Sequence, residues 1–245
     1  IEHAPVQVGK LGVCFQFILD HQLRQRVRVP SFPAPDQLCH EPFDVVQLGQ
    51  RLPDEQVRFR GVEDRIQLLK TRVITADDFS HWDHHTVRMF DVDTRQLTRR
   101  ALKDGDQATL WEYLDWMVSP SSNSAAGMLM REAMLMRQYG TDYPPAEDEI
   151  ERFFKETPKK DLTALFERTF FEPLTRNGFD LEYFRQASFF TRQGKSNVPG
   201  PGSSYATARE LMKYGLRMEQ GRLVDEWSSR QLKRLTYVTE RRIRY

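Results

Sequence analysis

Three short stretches hold residue types whose spacing suits chemistry. In Ser119-Pro120-Ser121-Ser122-Asn123, hydroxyls and a carboxamide crowd one turn between two apolar runs. Ser and Asn compete with the backbone for hydrogen bonds and favour exposed caps, so an interior turn built from them asks for a reason beyond packing. In His81-Trp82-Asp83-His84-His85, three of the 6 histidines of the chain flank an aspartate. Imidazole and carboxylate both suit zinc, and a metal-dependent enzyme using His81, Asp83, His84 and His85 is one reading. The stretch lacks the helical His-Glu-x-x-His spacing, which favours a hydrogen-bonded loop with no metal or other cofactor. Lys10 stands at the entry to the apolar run Leu11 to Leu19. An amine there is either a snorkelling surface group or a partly buried base with a lowered pKa.

The elements that must position these groups follow from hydrophobic spacing. Residues 10–23 are apolar on every side and predict a buried helix. Five prolines between 24 and 60 break any periodicity, so that stretch reads as an irregular connection or insertion. Residues 62–73 regain helical spacing, and 86–99 read as a hairpin around a polar turn. Leu110, Trp111, Leu114, Met117 and Val118 recur at helical spacing behind a cap at Asp106 or Thr109, and this helix delivers the Ser121 turn. A second helix leaves it through Ala125, Ala126, Leu129, Ala133 and Met136, ending near Gly140. Helices are predicted over 146–154, 161–171, 208–218 and 224–235, with loops at 172–178 and 194–202.

Composition narrows the classes. With 245 residues and 39% hydrophobic content the chain can bury a real core, in one large domain or two small ones. A formal net charge of +1 gives no electrostatic case for nucleic acid. No apolar run approaches the roughly 20 residues of a membrane span. Cys14, inside an apolar run, reads as a small buried hydrophobe more than as half of a disulfide with Cys39.

The stretch Met117 to Ala126 resembles the Met-Ile-x-x-Ser-x-Asn-Thr-Ala segment of the penicillin-recognising serine hydrolases, the class A β-lactamases and DD-peptidases. Residues 203–212, followed by Glu219-Gln220-Gly221-Arg222-Leu223-Val224, are similar to that family's helix after its Ω-loop. Val8-Gly9-Lys10-Leu11 looks like the lysine half of its Ser-x-x-Lys motif. The resemblance implies a single domain over 1–245 with an α+β fold of the β-lactamase/transpeptidase type, of which the chain carries chiefly the helical part with few strands. It also implies an extracytoplasmic, periplasmic setting and a β-lactam or peptidoglycan-like amide as substrate, attacked through an acyl-enzyme. Lys10 becomes the active-site base, Ser121 the proton relay and Asn123 the donor to the substrate's carbonyl. Gln7 stands where the nucleophilic serine is expected, and no Lys-Thr-Gly or Lys-Ser-Gly follows residue 208. The alternative is therefore a catalytically silent relative that binds such a ligand or a protein partner. Glu172 is a candidate for the Ω-loop glutamate, at a longer spacing from Asn123 than the family uses.

Overall fold

The computed structural model describes residues 61–80, 83–186, 190, 192–199 and 204–237. The expected helix over 10–23, with Lys10, the position of Gln7 and the irregular stretch 24–60 lie outside the described residues, as do His81 and Cys14. The elements in order are α1 (Val62–Thr71), β1 (Val73–Thr75), a 3-10 turn (Asp78–Ser80), β2 (Val87–Asp91), β3 (Gln96–Arg100), β4 (Gln107–Thr109), α2 (Leu110–Val118) and α3 (Asn123–Tyr139). After a 3-10 turn (Gly140–Asp142) come α4 (Glu147–Glu156), α5 (Lys159–Phe170), α6 (Glu172–Arg176), β5 (Phe184–Arg185), α7 (Arg192–Asn197), β6 (Tyr205–Ala206), α8 (Ala208–Glu219) and α9 (Glu226–Tyr237). The described part is a mixed helix and strand arrangement, with antiparallel two-stranded pairs β1–β4, β2–β3 and β5–β6. No helix among the described residues is long and apolar enough to cross a membrane.

Helix α3 is the centre of the core. Every residue from Ser124 to Met136 is buried, so this helix is wrapped on all sides rather than laid on a surface. Its small residues are what allow that wrapping. A Cβ on Gly127 would stand 2.2 Å from the Phe79 carbonyl oxygen, so the Asp78–Ser80 turn crosses α3 where glycine leaves room. Helix α2 packs Leu110, Tyr113, Leu114, Trp116, Met117 and Val118 into the same core. It starts on a capping box: Glu112 N donates to Thr109 Oγ1 (3.3 Å) and Thr109 N donates to Glu112 Oε2 (2.8 Å). Of the two predicted caps, Thr109 holds the position. Asp106 instead accepts two hydrogen bonds from the Arg100 guanidinium, 2.5 and 2.7 Å, at the foot of β3.

Charge is buried in the middle of α3. Arg131 donates to Glu132 Oε1 through Nε (3.1 Å) and Nη2 (2.6 Å), and pairs with Asp77 through Nη1. Glu132 also accepts from the Tyr143 hydroxyl and lies 3.6 Å from Arg72. Each buried charge has a partner, which keeps the desolvation cost from becoming prohibitive.

Several boundaries differ from the sequence expectation for definite reasons. The first helix stops at Thr71, because Val73-Ile74-Thr75 pairs with Thr109-Ala108-Gln107, and ladder hydrogen bonds replace another helical turn. The predicted hairpin forms as β2–β3, with Phe90 opposite Leu97. The stretch 172–178, expected as a loop, opens with α6, where Pro173 lies at a tolerated first-turn position. Residues 192–197 form α7, which overlaps the first part of the expected loop 194–202. Gly194 has the Phe79 ring and the Phe190 Cβ against it, so contact with the core overrides its low helix propensity.

Candidate functional site

The turn between α2 and α3 is a sharp corner with a left-handed residue in it. The Ser119 amide ends α2 by donating to Asp115 O (2.7 Å), and the Ser122 amide reaches back to Trp116 O (3.0 Å). Closing that loop requires Ser121 at φ +63, a conformation that costs a non-glycine residue about 1 kcal/mol or more. Glycine would adopt it without strain.

The cap of α3 is Ser122, not Ser121 or Asn123. Its hydroxyl accepts from Ala125 N (3.2 Å) and donates to Asp83 Oδ2 (2.8 Å). The same Asp83 oxygen accepts from Ser124 N (2.9 Å). Ser122 and Asp83 thus satisfy two of the first-turn amides of α3 that lack intrahelical partners, and the carboxylate complements the helix dipole. Ser122 and Ser124 are buried, while Ser121 and Asn123 are half-buried and lie on either side of the capping residue. The Ser124 hydroxyl is buried with no hydrogen-bond partner among the described residues.

Asp83 is held from its own loop as well. Its Oδ1 accepts from the His85 amide (3.1 Å) and lies 2.7 Å from His85 Nδ1. Burial pushes the Asp83 carboxyl upward, but hydrogen bonds from Ser124 N, the Ser122 hydroxyl, and the His85 amide and ring outweigh it. The group is held below the usual carboxylate range. The order of the three side chains is hydroxyl, carboxylate, imidazole, with the carboxylate in the middle. In this order the imidazole does not accept the serine proton, so Ser122 is a structural cap and not an activated nucleophile.

Among the sequence candidates, Ser121 and Asn123 lie together on the corner, and Asp83, His84 and His85 cluster beside it. Lys10 lies outside the described residues, so its distance from Ser121 is not part of this geometry. Glu172, on α6, pairs with Arg137, as a structural ion pair would. The residue that sequence reasoning missed as a corner element is Asp83. The Asp-x-His spacing carries a local signal, since an aspartate commonly accepts from the amide two residues on. Its tie to Ser122 crosses 39 residues and carries none.

In comparisons with known proteins, no family model, no curated protein and no solved structure matches the chain.

Proposed function

We propose that this chain recognises a β-lactam or a peptidoglycan-like amide at the Ser121–Asn123 corner, in the manner of the penicillin-recognising serine hydrolases. The observation that carries the reading is the division of labour at the turn. Ser122 and Asp83 perform the capping, and Ser121, held at φ +63, and half-buried Asn123 stand on either side of that cap. Serine in place of glycine at positive φ supports a use for the side chain at this position.

In the hydrolase reading, Lys10 takes the proton of an attacking hydroxyl, Ser121 passes a proton to the leaving nitrogen, and the Asn123 carboxamide donates to the ligand's acyl-amide carbonyl. The attacking hydroxyl belongs where Gln7 stands, and a carboxamide forms no acyl-enzyme. Gln7 therefore favours the second reading, a catalytically silent relative that binds the same ligand without covalent chemistry. Both readings place the protein outside the cytoplasm, where such ligands occur.

Intact-mass measurement after incubation with a fluorescent penicillin separates the two. An added mass equal to the intact penicillin supports the acyl-enzyme. An unchanged mass with saturable, reversible binding supports the silent relative. Absence of both binding and adduct refutes recognition at this corner.

A further inference from the structure

We propose that His84 and His85, oriented by Asp83, bind one first-row divalent transition-metal ion, with zinc as the reference ion. The site is independent of β-lactam recognition and stands on the arrangement of this loop alone.

Three observations carry it. One ligand atom from each of Asp83, His84 and His85 falls within 4.8 Å of the other two. A shared zinc ion needs one nitrogen of each imidazole at about 2.0–2.1 Å, so one ring must turn toward the other. The His84 side chain is 83% exposed and can supply that movement by rotation without disturbing the core. The two imidazoles already lie against each other, with ring centroids 4.0 Å apart and planes tilted by 36°, although neighbours in a regular extended strand would point to opposite sides.

The third observation is the carboxylate behind the pair. His85 Nδ1 is 2.7 Å from Asp83 Oδ1, and the His85 side chain is 8% exposed, so this ring is held in one orientation. A metal-binding histidine usually donates its second ring N–H to a carboxylate, which fixes the tautomer and makes the other nitrogen the ligand. Asp83 is itself fixed from the other side by Ser122 and Ser124. With both its oxygens engaged, Asp83 serves as the orienting group and the source of negative charge, and the two imidazoles serve as ligands. Water completes the coordination. Imidazole ligands select zinc, nickel or copper over magnesium or calcium, which require oxygen cages.

The test is calorimetric titration of the chelator-treated full chain with zinc chloride, repeated with magnesium chloride and with His84→Ala. The exposed position of His84 makes this variant fold-neutral, which an unchanged thermal midpoint without metal verifies. The expected result is one zinc bound per chain, at least tenfold weaker binding in His84→Ala, and no magnesium binding. Asp83→Asn should also weaken zinc binding, by about ten- to a hundredfold, as outer partners of ligating histidines do. The histidine total of 6 includes residues elsewhere in the chain, so the variant decides where any zinc sits. No saturable zinc binding, or equal binding by His84→Ala, overturns the proposal.

Discussion

The carboxylate of Asp83 accepts the hydroxyl proton of Ser122 at 2.8 Å, and the same oxygen accepts the Ser124 amide at 2.9 Å. One side chain from the loop before the hairpin thereby fixes the start of the most deeply buried helix. The arrangement predicts that Asp83→Asn costs about 2 kcal/mol of stability at neutral pH, since the amide cannot accept at both ends. The folded pKa of Asp83 lies below its ordinary value of 3.8. Its contribution is therefore fully present above the unfolded pKa and disappears as pH falls through the folded value. Urea unfolding of wild type and Asp83→Asn, both chelator-treated, should give a difference that is constant down to about pH 5 and shrinks below about pH 4. A difference that grows in acid contradicts the assignment.

Strain at Ser121 predicts a trade between stability and recognition. Ser121→Gly should raise stability by about 1 kcal/mol, because glycine adopts positive φ freely. The same change should abolish ligand binding. Chemical denaturation and binding measured on one preparation give both quantities, and a destabilised Ser121→Gly that still binds ligand would refute the idea of functional strain.

Much of this frame was legible in the chain. The pattern from Leu110 to Val118 and the small-residue run from Ser124 onward predicted α2 and α3, because their periodicity is set by the helix itself. The β2–β3 hairpin was legible for the same local reason, and the α2 cap was narrowed to Asp106 or Thr109, of which Thr109 holds it. The strand Val73–Thr75 was not, since its partner Gln107–Thr109 lies more than 30 residues away and only the ladder makes it a strand. At the site, the Ser121-Ser122-Asn123 turn stood out by its polarity. Which serine caps the helix depended on Asp83, a contact that spacing does not encode.

Close approach at Gly127 predicts a steep cost for the smallest addition. Gly127→Ala puts a Cβ 2.2 Å from Phe79 O, and backbone has little freedom to yield, so a loss of about 3 kcal/mol is expected. Gly215→Ala is the matched control: nothing lies within 4 Å of its added Cβ, and a helical alanine should stabilise by about 0.5–1 kcal/mol. Thermal or urea unfolding of the two variants checks the contrast, and equal effects would show that the crossing at Phe79 is loose.

The Arg131–Glu132 pair makes a prediction about cooperativity. Removing one partner, as in Arg131→Met or Glu132→Gln, leaves the other charge buried or poorly paired and should cost about 3–5 kcal/mol. The double variant should recover part of that loss, giving a coupling energy above about 1 kcal/mol in a double-mutant cycle. Additive losses would mean that Asp77, Arg72 and Tyr143 carry the network without this pair.

The measurement closest to the central claim is equilibrium binding of a fluorescent penicillin to the full chain and to Asn123→Ala, with folding verified by circular dichroism. Asn123 is the first residue of α3 and is not its cap, so removing its carboxamide should leave the helix intact. Saturable binding by wild type that weakens at least tenfold in Asn123→Ala is the predicted result. Absence of saturable wild-type binding, or equal binding by the two proteins, would contradict the assignment of this corner to ligand recognition.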